Sequence, residues 1–277
     1  MRYLLLGEKS LITRMGEYLV EEGEEVHLIG GSLTTKNTYC WGEGVLQSPF
    51  LADLLENIER VLILFPEGKW EKVKFLLQSP ALKGKEIMLL TSYHVYGIPK
   101  FIPVTEDYFP SPVSKRGWEE LFTEEMVRFF SFQKGFSYTI FRSSEVFGPK
   151  ISGVIGDLCK KGVNGEEIPL YEKNIMVDLL YIQDLLQGLK KALETFEKIK
   201  GEIINISSGK GVGIREIVKK ILSLSGEKPS NFSYSSLNPP FPEIILSPVK
   251  MRLLLKWSPR YNWERGIELL FSHLQEV

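Results

Sequence analysis

A chain of 277 residues with 43% apolar and 25% charged side chains is long enough to bury a substantial core and too ordinary in composition to be disordered or fibrous. A formal charge of −1 gives no electrostatic basis for holding nucleic acid. Two cysteines, Cys40 and Cys159, cannot build a disulfide framework, and His27, His94 and His273 show no ligand spacing, so no metal is expected. No apolar run approaches the length of a membrane span, and residues 1–6 are too short for a signal peptide. A cytoplasmic protein without a membrane partner is the expectation.

Taken in order, residues 2–7 (RYLLLG) read as a buried strand. Residues 10–22 read as a helix with Leu11, Ile12, Met15, Tyr18 and Leu19 on one face, and 25–29 as a second strand. The stretch 34–50 is polar and reads as irregular, 52–58 as a short helix, and 60–66 as a third buried strand. A helix over 69–78 carries Trp70, Val73, Phe75, Leu76 and Leu77. The apolar run 86–90 is a strand that delivers Thr91 and Ser92 to the end of a sheet. A turn containing Pro110 and Pro112 then leads to a helix from about Trp118 to Phe132. Strands alternating with crossover helices specify an α/β fold, a doubly wound parallel sheet, with a smaller C-terminal lobe.

Several motifs follow one another along this frame. Ser92-Tyr93-His94-Val95-Tyr96-Gly97 precedes Glu106-Asp107, and Arg142 to Pro149 reads RSSEVFGP. Tyr181-Ile182-Gln183-Asp184 precedes a helix, Asn205-Ile206-Ser207-Ser208-Gly209 follows a strand, and Leu255-Lys256-Trp257-Ser258-Pro259 lies near the end. In order and spacing, from Leu4 to about Leu270, the chain resembles the extended short-chain dehydrogenase/reductase family of nucleotide-sugar epimerases and dehydratases. The resemblance implies a Rossmann-type NAD(P)-binding-like domain over 1–168 plus 172–206. It also implies a smaller substrate-type lobe over 151–171 plus 207–277.

The family's chemistry uses a Tyr and a Lys four residues later, one helical turn apart, with a Ser on the preceding strand. Setting Gly117 and Glu124 on the family's Gly and Glu puts Ser92 at the Ser, Arg116 at the Tyr and Glu120 at the Lys. Arginine stays protonated below about pH 12 and cannot act as the acid or base. Glu120 reverses the charge that would activate a tyrosine. The adjoining Glu119, Glu120, Glu124 and Glu125 read as a solvated helix face, so an Arg116–Glu120 pair is expected to be exposed and worth only about 0.2–0.5 kcal/mol. Asp178 and Asp184 read as turn and helix-start anchors.

The resemblance also marks the cofactor positions, with NAD or NADP as the implied group: Gly7, Ser10, Leu11, Ile12, Gly30, Ser32, Phe65 and Thr91. Only the first glycine of the family's G-x-x-G-x-x-G loop is present; small Ser10 and Thr13 would still let the helix N–H groups meet an anion, and Glu8 beside them would repel a diphosphate unless Lys9 or Arg14 offset it. Gly30 stands where an acid usually holds the ribose. Gly30-Gly31-Ser32 with Lys36 would favour a 2′-phosphate, or form a simple turn. Phe65 brings bulk where relatives have small residues. In the substrate-type lobe Glu145 replaces an Asn, and Val177 replaces the Arg that grips the diphosphate. These replacements point to a fold-retaining, ligand- or partner-binding protein without the family's catalysis. The alternative is an atypical NAD(P)-dependent epimerase/dehydratase or reductase with a relocated acid/base. Relatives imply a homodimer through helices 69–78 and 118–132, with Trp70, Phe75, Trp118, Phe122, Phe129 and Phe130 as its apolar surface.

Overall fold

The structure is a computed structural model that describes residues 1–33, 38–65, 68–226, 232–235 and 242–276. Its central sheet has seven strands, in the order Ile203–Ile206, Ser137–Ser143, Glu86–Ser92, Arg60–Leu64, Arg2–Gly7, Glu25–Ile29 and Thr38–Trp41. Parallel register is set by pairs such as Leu4 with His27, Leu4 with Val61, and Leu62 with Met88. Helices on both faces of a parallel sheet bury every side chain, so the strands read as unbroken apolar runs: Leu4 to Leu6, Val61 to Leu64 and Ile87 to Leu90 are all buried. The first strand leads outward to one side and the fourth to the other. Strand order therefore reverses between Gly7 and Leu64, which is where doubly wound sheets open a crevice at their carboxyl ends.

Three helices cover this sheet with the faces their sequences require. Lys9–Glu21 buries Leu11, Ile12, Met15 and Leu19, and Trp70–Leu77 buries Val73, Leu76 and Leu77. Lys115–Lys134 places Met126, Val127 and Phe130 in the core beside Ile63, Leu89 and Ile140. Each such side chain contributes roughly 1.5–3 kcal/mol on burial.

The chain divides into two compact units. The first comprises Met1–Gly97, Glu106–Arg142 and Lys190–Ile204, and the second Ile98–Thr105, Ser143–Leu189 and Asn205–Val277. These boundaries differ from the expected 1–168 plus 172–206 and 151–171 plus 207–277, because residues 143–168 and the strand Met176–Tyr181 group with the second unit. That strand pairs with Glu145–Phe147 and Gly211–Gly213 in a separate three-stranded sheet. The seventh strand of the main sheet is instead Thr38–Trp41, in a stretch that reads as irregular. It is an edge strand, held by register with Val26 to Ile29 rather than by its own apolar pattern.

Two buried aspartates of the second unit hold loops, as their positions imply. Asp178 accepts from Ser208 N (3.1 Å), Ser208 Oγ (2.6 Å), Gly209 N (3.2 Å) and Leu246 N (3.1 Å). Burial pushes its carboxyl up to about 6, against these four donors. Asp184 accepts from the backbone N–H groups of Arg260 and Tyr261 at 2.9 and 3.0 Å.

Candidate functional site

Ser92 ends its strand and caps the short turn Tyr93–Tyr96. Opposite it, Ser114 starts helix Lys115–Lys134 by accepting from Gly117 N at 3.1 Å. A Cβ on Gly117 would lie 2.4 Å from the His94 carbonyl oxygen, so only glycine lets this helix approach the strand end so closely. That approach brings Arg116 and Glu120 onto Ser92.

Two carboxylates one turn apart then take the two hydroxyls of the strand end. Glu120 Oε2 accepts from Ser92 Oγ at 2.6 Å and Ser92 N at 3.0 Å, and its Oε1 accepts from Arg116 Nε at 3.0 Å. Glu124 Oε1 accepts from Thr91 Oγ1 at 2.6 Å and Arg142 Nε at 3.1 Å, while its Oε2 accepts from Arg142 Nη2 at 2.6 Å. Arg142 also stacks 4.8 Å from the Tyr96 ring centre. Both carboxylates are fully buried, which corrects the expectation of a solvated face: Glu120 and Glu124 point at the strand while Glu125 alone of the four is exposed. The Arg116–Glu120 pair has the expected i, i+4 spacing, but the value for exposed pairs does not describe it.

Burial raises the Glu120 carboxyl above its usual value, with Arg116 and the Ser92 donors pulling the other way. Burial, and then the Arg116 charge, push His94 down to about 4, so its ring is neutral at pH 7. His94 Nδ1 lies 3.0 Å from Ser92 Oγ. Burial pushes the Tyr96 hydroxyl up to about 12, the wrong direction for a phenolate base. Arg116 is an arginine without an exchangeable proton near pH 7, and Glu120 is a carboxylate with both oxygens engaged.

The expected cofactor positions lie along the carboxyl ends of these parallel strands. Gly7 has φ 140°, and a Cβ there would sit 1.7 Å from the Leu64 carbonyl oxygen, so glycine is required. Beyond it the Glu8 side chain caps helix Lys9–Glu21: Oε1 accepts from Ser10 N (3.0 Å) and Ser10 Oγ (2.8 Å), and Oε2 from Leu11 N (2.7 Å). The amide groups that would meet a diphosphate fit an oxyanion, since a carboxylate already sits in them. That carboxylate is the chain's own.

Lys69 Nζ donates to the Gly7 carbonyl at 2.8 Å and pairs with Glu43 at 2.9 Å; Lys72 also pairs with Glu43. Hydrogen bonds from these two lysines hold the Glu43 carboxyl down at about 2. Glu43 Oε1 would lie 3.1 Å from a Cβ on Gly30. A carboxylate from a distant segment thus lies beside the end of the second strand, a placement that strand periodicity does not encode. Phe65, at φ 47°, lies under the Arg116 guanidinium, 5.3 Å from ring centre to Cζ. Leu11, Ile12 and Thr91 are buried, and Ser32 is exposed. Lys36 lies outside the described residues.

The structure therefore gathers Ser92, Arg116 and Glu120 with His94, and Gly7, Ser10 and Leu11 with Glu8. Glu145 and Val177 belong to the second unit, on its strands Glu145–Phe147 and Met176–Tyr181; Glu145 is half-buried and Val177 is buried. Among the described residues no group of three or more His, Cys, Asp or Glu is placed to hold a metal, and no helix is long and apolar enough to cross a membrane.

Residues 75–207 match the model of the NAD dependent epimerase/dehydratase family. The chain is 24% identical over 215 residues to the UDP-glucose 4-epimerase of Azospirillum brasilense, covering 66% of this chain and 62% of that one. It is 27% identical over 190 residues to a putative UDP-glucose 4-epimerase of Methanocaldococcus jannaschii, covering 65% and 60%. The match thus spans about three fifths of these relatives' length. The solved UDP-glucose 4-epimerase of Thermotoga maritima with UDP-glucose superposes with TM-score 0.89 at 21% identity, covering 100% and 99%. The UDP-glucuronic acid 4-epimerase of Bacillus cereus, in complex with UDP-glucuronic acid and NAD, gives the same values.

The Glu124–Arg142 pair is the part of this site in which both partners are buried. Glu124→Ala is expected to destabilise the protein by about 3–5 kcal/mol in urea unfolding. Arg116→Ala, at a half-exposed side chain, is expected to cost less than half as much.

Proposed function

Taking as premise an extended short-chain dehydrogenase/reductase fold that carries an NAD dependent epimerase/dehydratase family domain over 75–207, we propose that this chain binds a nucleotide-type ligand without performing the family's proton transfer. The observation that carries the reading is Glu120: a buried carboxylate at the Lys position, closed onto Ser92 and Arg116. The Ser92 hydroxyl donates its hydrogen bond to Glu120, so that hydrogen is not free to hold a substrate oxygen. Arg116 supplies positive charge over Phe65 and no proton.

A nicotinamide dinucleotide is the cofactor this reading assigns, since the matched family is NAD-dependent and solved relatives of the same fold carry NAD. Glu43 beside Gly30 would offer an acceptor to a ribose hydroxyl, while Lys69 and Lys72 balance its charge, so the reading covers NAD and NADP alike.

The wild-type protein is expected to give no epimerisation, oxidation or reduction of UDP-sugars with NAD or NADP, followed by nicotinamide absorbance and by NMR of the sugar. Robust turnover that is lost in Glu120→Gln would make the carboxylate a base and overturn the reading.

A homodimer belongs to the same proposal. Helix Lys115–Lys134 leaves Trp118, Phe122, Phe129 and Phe132 exposed at 60, 49, 55 and 92%. With Glu125 they mark a seam of alternating four- and three-residue steps, the spacing that two helices need to pack side by side. Phe75 on helix Trp70–Leu77 is exposed as well, whereas Phe130 packs into the core and Trp70 meets Phe122 edge-on. Light scattering at micromolar concentration should give twice the chain mass, and Phe129→Asp should halve it. A monomeric wild type would contradict this assignment.

A further inference from the structure

We infer that Glu8 is an internal competitor of the dinucleotide's diphosphate: its carboxylate occupies the amide groups at the start of helix Lys9–Glu21, and a dinucleotide binds only by displacing it. The inference rests on the dinucleotide reading above. Neutral hydroxyl caps satisfy one orphan N–H, whereas Glu8 takes the N–H groups of both Ser10 and Leu11, the Ser10 hydroxyl, and the positive end of the helix. An anion brought to the same amides meets a full negative charge already in place.

The backbone gives Glu8 no other exit than side-chain rotation. Glu8 N donates to the Leu64 carbonyl at 2.8 Å, and Gly7 is pressed against that carbonyl so tightly that no Cβ fits. Lys69 fixes the Gly7 carbonyl from the other side and is itself tied to Glu43. The backbone of the loop is thus tied on both sides of Glu8, and rotation of the Glu8 side chain frees the amides without breaking these ties. Displacement costs the two amide bonds and the helix-end charge, so this chain holds a diphosphate more weakly than the same seat would without Glu8.

The test compares wild type, Glu8→Ala, Glu8→Gln and, as a control at the far end of the same helix, Glu21→Ala. Each is titrated with NAD+ and with ADP, a diphosphate lacking nicotinamide, by calorimetry and thermal shift. Glu8→Ala should bind both ligands at least roughly ten-fold more tightly than wild type, the effect of removing a like charge at contact distance. Glu8→Gln, which keeps an accepting oxygen and guards against a folding defect in the alanine variant, should fall between, and Glu21→Ala should match wild type. A gain for ADP with none for NAD+ would uphold the competitor and remove the dinucleotide reading. Equal affinities in wild type and both Glu8 variants, or no binding of either ligand by folded Glu8→Ala, would overturn the inference.

Discussion

Everything at the strand end depends on two carboxylates that one helix buries against it. Glu120 and Glu124 lie one turn apart, and each takes one hydroxyl of the Thr91–Ser92 pair and one arginine. Burying an isolated carboxylate costs several kcal/mol, so the arrangement persists only because every oxygen is paired. The two halves are not equivalent. Arg142 and Glu124 are both inside; burial lowers the Arg142 pKa, but the Glu124 charge and hydrogen bonds together with Tyr96 leave it raised. Arg116 is half-exposed, and burial keeps the Glu120 carboxyl raised despite it.

This packing explains how the helix Lys115–Lys134 is seated against the strand end. Gly117 allows contact with the His94 carbonyl, and Ser114 starts the helix in the right register, so the helix brings a charge pair complementary to the strand end. A comparable internal contact is made at the start of the first helix. There Glu8 satisfies amides at the reversal point of the strand order, with Lys69 and Glu43 tying the neighbouring strand ends together. At both places a carboxylate is held by intramolecular hydrogen bonds to the neighbouring donors.

The parallel core was legible from apolar runs such as Leu4 to Leu6 and Leu89 to Leu90, because burial on both faces leaves a continuous signal in sequence. So was the Arg116–Glu120 spacing, a direct consequence of the helical period. Burial of Glu120 and Glu124 was not legible: four glutamates in a helix look solvated unless the close approach permitted by Gly117 is known. Glu43 reached Gly30 from a segment whose composition reads as irregular, and the edge strand Thr38–Trp41 gets its register from its neighbour. The grouping of Met176–Tyr181 with Glu145–Phe147 follows from pairing between distant segments, which local pattern does not carry.

The claim that Glu120 is bound into the fold, and not held ready for a substrate, is tested most directly by a double-mutant cycle between Ser92→Ala and Glu120→Gln in urea unfolding. A hydrogen bond to a buried charge predicts a coupling energy of at least about 1.5 kcal/mol. Effects that add to within about 0.5 kcal/mol would mean that the two side chains do not hold each other, and would contradict the account.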